Sequence, residues 1–380
     1  MSNLSQALPE AKARLIAFYL PQFHPIPEND AWWGKGFTEW TNVAKAKPLF
    51  PGHYQPRLPA DLGFYDLRVP EVREAQAELA RAHGIEGFCY WHYWFGRGRR
   101  LLERPFEEVL RSGKPDFPFC LGWANETWSG IWHGAPNRIL IEQTYSGVKD
   151  YEQHFEAMLP AFKDKRHIIV AGKLLFVVYK PEHIPDPVEF VGVWNRLAVA
   201  SGLEGFYFVG IADNWNPRDH GFDAVVACAP ASQARNLPRT MGRRIFDKVL
   251  KIIFRENWDS LRKKWRGRPL VVDYGSYVNH AINGSLSDYE FPVVVSNWDN
   301  TPRSGGNGLV LMNSHPSLFG KLLRKALKQV QSRPPERRIV FLKSWNEWAE
   351  GNYLEPDSRF GLSYLEVVKE ELLKNDNNQH

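Results

Sequence analysis

An α/β fold, a (β/α)8 or TIM barrel built as a single domain over residues 1–380, is predicted by three observations on this chain. About eight short apolar, β-rich runs recur along the sequence, and helical patterns alternate with most of them. The runs are apolar throughout rather than alternating, which suits parallel strands covered on both faces. A chain of 380 residues with 43% hydrophobic content can also bury the core that one barrel needs.

The first run, 15–20, is stopped by Pro21, and residues 21–67 then form a long first βα loop. That loop is rich in Pro, Gly, Trp and Phe, so it reads as ordered, lying over the C-terminal face of the barrel. Helix 69–82 leads to strand 87–94, helix 106–111 to strand 117–123, and helix 151–162 to strand 174–179. Helix 188–200 precedes strands 205–211 and 224–227. Between strands six and seven lies a helical insertion, 229–291, with a basic amphipathic stretch at 243–268. There Ile245, Val249, Ile252 and Ile253 fall on one side, with Arg243, Arg244, Lys248, Lys251 and Arg255 nearby. A helix packed on the barrel with a solvated basic face is the preferred reading; peripheral contact with an anionic membrane is the alternative. Strand 293–296, helix 318–330, strand 339–342 and helix 362–373 complete the pattern.

A net charge of +5 is modest for this length, and no aromatic-plus-basic motif points to nucleic acid. Residues 1–14 are polar, without the apolar centre of an export signal, and no apolar run approaches about 20 residues. The expected location is cytoplasmic, at the inner face of the membrane if the basic stretch lies there. Cys89, Cys120 and Cys228 are widely spaced inside apolar runs, so they read as inert buried thiols. The twelve histidines include no H-E-x-x-H grouping, and no strand is followed by a phosphate-binding glycine loop. No metal and no cofactor are therefore expected.

Barrel enzymes carry their chemistry where strands end on the C-terminal face. Strand one ends in Tyr19 and leads to His24, with Glu39 and Trp40 in the long loop; strand two ends in Trp91, His92, Tyr93 and Trp94. Strand three gives Trp123, Asn125, Glu126 and Trp128, strand four Tyr179 and Lys180, and strand five Asp213. Strand seven gives Asn297, Trp298 and Asp299, with Arg303 beyond, and strand eight Trp345 and Asn346. This set of amides, acids and flat rings is expected to bind an oligosaccharide or polysaccharide. After strand eight, Glu347 and Glu350 stand three residues apart between tryptophans. Paired carboxyls are the usual means of acting on a glycosidic bond.

Residues 345–351, Trp-Asn-Glu-Trp-Ala-Glu-Gly, resemble the Asn-Glu-Trp-His-Glu-Gly signature of glycoside hydrolase family 99, the endo-α-mannosidases and mannanases. A closer resemblance, to the bacterial WbsX-like group of family 99-like proteins associated with surface polysaccharide and O-antigen clusters, covers most of the chain. It includes Phe18 to Pro25, Trp33 to Asn42, His53 to Pro56, Trp298 to Arg303 and Asn346 to Pro356. The resemblance implies a retaining glycoside hydrolase or transglycosidase acting on α-linked manno- or rhamno-configured bacterial polysaccharide. Glu347 would deprotonate the sugar 2-hydroxyl and Glu350 would act as general acid/base, through a 1,2-anhydro sugar. Glu350 would then need a raised pKa. Ala349 departs from the family histidine and leaves the endo-mannosidase substrate open.

A second carboxylate scheme, Glu126 with Glu347, ranks below this one because the two dipeptides fall on strands three and eight. A glycosyltransferase or assembly enzyme of lipopolysaccharide biosynthesis and a non-catalytic glycan-binding barrel are the competing functions. Oligomeric state is open.

Overall fold

The computed structural model describes residues 11–130, 135–230, 233–234 and 268–373. Eight parallel barrel strands are β1 (Arg14–Tyr19), β2 (Gly87–Trp94), β3 (Phe119–Trp123), β4 (Lys173–Val178), β5 (Phe206–Ile211), β6 (Ala224–Val226), β7 and β8 (Ile339–Lys343). Strand β7 has two pieces, Glu290–Phe291 and Val293–Val295, on either side of Pro292. Proline has no N–H for the ladder, so the hydrogen-bonded run breaks there. The first piece pairs with β6 and the second with β8, and β8 pairs with β1, so the chain through Pro292 closes the ring.

Helices Pro70–Ala82, Arg104–Ser112, Val148–Phe162, Pro187–Ala200, Pro316–Val330 and Ser363–Leu373 lie where the periodicity placed them, within a few residues. Phe176, Trp194, Phe206 and Phe208 pack between β4, β5 and the helix Pro187–Ala200. Inside the ring Phe18 stacks on both Trp91 and Phe341, at 4.9 and 5.4 Å. Among the described residues no helix is long and apolar enough to cross a membrane.

Two features depart from the expected pattern. A hairpin of Trp128–Gly130 with Ala135–Ile141 follows β3, and Leu270–Asp273 pairs in parallel with Leu309–Met312 outside the barrel. The second insertion therefore holds a strand and the helix Tyr274–His280 as well as its basic part, of which 243–267 lies outside the described residues.

The long first loop carries two short helices, Pro27–Trp33 and Glu39–Lys45, the second opened by a Thr38/Thr41 capping box. It is fastened across the C-terminal end of the barrel. His53 Nδ1 accepts from the Leu49 amide, so Nε2 carries the hydrogen and donates to Asp299 at 2.8 Å. Gln55 Nε2 donates to the same oxygen at 2.7 Å, and Tyr65 donates to Glu355 at 2.8 Å.

Candidate functional site

The site is built on the segment after β8. Asn346–Glu347 pairs antiparallel with Asn352–Tyr353, and the turn between them closes through Gly351 at φ +65°. A Cβ at Gly351 would come within 2.9 Å of the Asp299 amide, so only glycine allows this close approach. Asn346 does not face the cleft: its amide takes the Leu20 N–H at 2.7 Å and returns a hydrogen bond to the Leu20 carbonyl at 3.0 Å. Asn125 does the same to the Lys180 backbone, at 2.8 and 2.7 Å. In both Asn-Glu dipeptides the asparagine ties one strand end to another chain segment.

The turn brings the carboxyls of Glu347 and Glu350 within hydrogen-bonding reach of each other. Glu347, 6% exposed, accepts from Trp91 Nε1 at 3.0 Å. Burial, reinforced by the neighbouring Glu350 charge, pushes its carboxyl up to about 7. Burial also acts to raise Glu350, but Arg303 at 2.7 Å, then Lys343 and the hydrogen bond with Glu347, outweigh it and hold that carboxyl below its ordinary value. Two acids this close share one proton, and here it rests on Glu347. The sequence reading put the raised value on Glu350; the difference is Arg303, which no local pattern brings to that residue.

Arg303 binds a second acid, Glu39 of the first loop, at 2.8 Å. Lys343, the last residue of β8, lies with its ammonium 5.1 Å from the Trp298 ring centre and acts on both glutamates. Trp91, Tyr93 and Tyr179 wall the pair. Burial first, then the nearby carboxylates, raises both tyrosines, so their hydroxyls stay protonated donors. Trp128 meets Tyr93 edge-on at 5.1 Å and Trp32 at 6.1 Å, extending the aromatic wall toward the first loop. Asn297 is 4% exposed with both amide atoms unpartnered, beside Trp298 at the end of β7.

Most of the remaining expected residues do not face the pair, and strand alternation explains four of them. Along β2, Trp91 and Tyr93 point into the ring, whereas His92 and Trp94 point to the helix Val148–Phe162. There His92 meets His154 at 2.7 Å and Trp94 donates to Asp150. Trp123 packs outward on His154 and Phe190, and Tyr19 donates outward to Gln76. Room for the inward Trp91 indole comes from Gly122 on β3, where a Cβ would sit 3.0 Å from the ring. Asp299 is fully buried with all its bonds used by His53, Gln55 and Thr301. Trp40 and Trp345 are buried, and His24 folds its Nδ1 onto the Pro21 carbonyl. Asp213 is exposed and accepts from the Cys228 amide, whereas the exposed Glu126, whose charge acts on Tyr179, and Lys180, over the Tyr179 ring at 5.0 Å, stand beside the wall of the mouth.

Sequence reasoning passed over Lys343, Asn352 and Glu355. Asn352 donates to Glu350 at 3.3 Å. Glu355, pushed up to about 7 by burial, accepts from Trp348, Gln76 and Tyr65 beneath the turn. Lys343 was legible as the one charged residue ending a barrel strand among the described residues. Among the described residues no group of three His, Cys, Asp or Glu is placed to hold a metal ion.

The chain is a closed parallel barrel with an acid pair among aromatic rings at its C-terminal mouth, a fold it shares with glycoside hydrolases. Solved structures share the fold: a glycoside hydrolase-like protein at TM-score 0.56 and 13% identity, covering 97% of this chain and 96% of its own, and the GH99 endo-α-mannosidase of Bacteroides thetaiotaomicron at 0.52 and 14%, covering 94% and 96%. The chain belongs to the family described as glycosyltransferase WbsX, whose profile matches residues 15–368. Two curated relatives from strains of Xanthomonas campestris pv. campestris, each described as uncharacterized protein WxcX, are 39% identical over 373 and 379 residues. Those matches take in 97% of this chain, which spans about half the length (51%) of each relative.

Proposed function

We propose that the chain is a retaining glycoside hydrolase or transglycosidase acting on an α-linked, manno- or rhamno-configured bacterial surface polysaccharide, with Glu347 and Glu350 as its acid–base pair. The observation that supports this most is the largely buried Glu347–Glu350 pair at the mouth, each carboxyl acting on the other among aromatic rings. Carboxyl pairs that work from opposite faces of a sugar stand about 5 Å apart for an enzyme nucleophile and about 6.5–9.5 Å apart when water attacks. Those separations assume an enzyme nucleophile or a bound water; with O2 as the nucleophile the two acids serve neighbouring oxygens of one sugar, the 2-hydroxyl and the leaving oxygen. Glu347 takes the proton of the 2-hydroxyl as O2 attacks the anomeric carbon from behind, and Glu350 gives its proton to the departing oxygen. Water, or an acceptor hydroxyl, then opens the 1,2-anhydro sugar, losing its proton to Glu350 while Glu347 returns one to O2. An O2 trans to the leaving group is required, which is why manno and rhamno sugars are favoured.

The Trp91, Tyr93 and Trp128 rings supply sugar platforms, and the unpartnered Asn297 amide is suited to a sugar hydroxyl. Incubation with α-mannosides, α-rhamnosides and cognate surface polysaccharide, with NMR of the product anomer, tests the proposal. Net retention is expected, and so is loss of turnover in both Glu347→Gln and Glu350→Gln. An inverted product, or unchanged glycans throughout, refutes it. The family description favours a second reading, synthesis rather than breakdown. Transfer from a sugar nucleotide or lipid-linked sugar, without hydrolysis, would select it.

A further inference from the structure

Two carboxylates of the mouth meet at one guanidinium. Arg303 Nε donates to Glu39 at 2.8 Å and Nη1 to Glu350 at 2.7 Å, and the three side chains are 16%, 2% and 12% exposed. Each partner is fixed from behind. Glu39 opens the helix Glu39–Lys45, its amide bound to the Gln22 carbonyl, and Arg303 follows Thr301, which is fastened to Asp299. Arg303 Nη2 makes no hydrogen bond among the described residues. A guanidinium with two carboxylate partners can release one and stay neutralised by the other, which a singly paired buried arginine cannot do without a large penalty. The other charged or titratable groups facing the pair are Lys343 of β8, Tyr93 of β2 and Tyr179 after β4.

Resting on the acid–base reading of Glu347 and Glu350, we propose that Arg303 is a positioning residue that decides which glutamate holds the pair's single proton. Bridged to Glu39 and Glu350, it keeps Glu350 a carboxylate and leaves the proton on Glu347, the arrangement that cannot begin the reaction. A sugar hydroxyl arriving at Glu350 displaces the guanidinium, which remains on Glu39 and turns its free donors to the glycan. The proton then crosses the hydrogen bond between the carboxyls: the O–H of Glu347 breaks, that of Glu350 forms, and no other reactant is needed. The pair is armed only when the mouth is filled.

Carboxyl-13C NMR of glutamate-labelled protein, assigned with Glu347→Gln and Glu350→Gln, reads the proton directly. In the unaltered protein Glu347 titrates near about 7 while Glu350 stays ionised. In Arg303→Met the Glu350 midpoint climbs by about 1–3 pH units, the usual effect of losing an adjacent opposite charge. Arg303→Lys, a point charge unable to bridge both acids, moves it part of the way, and serves if Arg303→Met does not fold. In Glu39→Gln the guanidinium belongs to Glu350 alone, so that midpoint does not climb. Saturating methyl α-mannoside or methyl α-rhamnoside shifts the proton from Glu347 to Glu350 in the unaltered protein and less so in Glu39→Gln. A Glu350 titration unmoved in both Arg303 variants overturns the proposal, as does a proton that stays on Glu347 when sugar is bound. If the midpoints move as expected but no glycan is turned over, Arg303's hold on the pair stands and the glycosidase reading falls.

Discussion

Replacing Glu347 with glutamine should abolish turnover and make the protein more stable, and the size of the gain is set by pH. Burial moves this carboxyl from the ordinary glutamate value of 4.5 up to about 7. The folded state therefore binds the proton more tightly than the unfolded chain. For an acid raised in this way, the favourable contribution is complete below 4.5 and is lost as pH rises through about 7. Each pH unit of that interval is worth about 1.4 kcal/mol, so an ionised Glu347 lowers stability by about 3 kcal/mol at pH 8.5. Glutamine keeps the shape of the protonated acid and can meet Glu350 with an N–H, so it escapes this penalty. Urea unfolding at pH 5 and pH 8.5 is the assay. Wild type and Glu347→Gln should nearly coincide at pH 5 and separate by about 3 kcal/mol at pH 8.5, the variant being the more stable. Equal stabilities at both pH values would refute the buried, proton-sharing pair, and a fully active variant would refute its role.

Gly122→Ala places a methyl 3.0 Å from the Trp91 ring and 3.1 Å from Cys89 Sγ, so the indole must shift away from Glu347. Overpacking of this kind costs about 1–3 kcal/mol, and turnover should fall at least tenfold while the barrel persists by circular dichroism; unchanged activity would exclude Trp91 as the ring that holds Glu347. Burial depresses both members of the His92–His154 pair, His92 to about 3. The unfolded chain gains protons that the folded one refuses, so stability should decline by about 1.4 kcal/mol per pH unit per histidine below 6.5. His92→Phe/His154→Phe should flatten that slope in urea titrations, and an unaltered slope would count against a neutral pair. Asp299→Asn offers one acceptor atom to donors from His53, Gln55 and Thr301. A loss of about 3 kcal/mol and new proteolytic cuts within residues 21–67, ahead of any in the barrel, are expected; an unchanged digest would show that Asp299 does not fasten the loop.

The barrel was legible because strands covered on both faces need continuous apolar runs, and runs such as 174–178 and 339–342 have no competing helical period. The acid pair was legible because Glu347 and Glu350 are neighbours in sequence. Strand seven was harder to delimit, since Pro292 divides it into pieces of two and three residues.

The rim was read too generously. In β2 the run Gly-Phe-Cys-Tyr-Trp-His-Tyr-Trp is buried at every position, so no polar alternation separates Trp91 and Tyr93, inside the ring, from His92 and Trp94, against a helix. Which parity faces inward follows from closure of the barrel and from Gly122 one strand away, neither of which the local sequence contains. Residue type and spacing fixed the strands, the loop and the two carboxyls, because these depend on neighbours along the chain. The proton's resting place depends on Arg303, 44 and 47 positions before the glutamates it governs, and on Glu39, far earlier still. Electrostatic energy falls with distance in space, not along the chain, and closing the ring is what brings those three charges together.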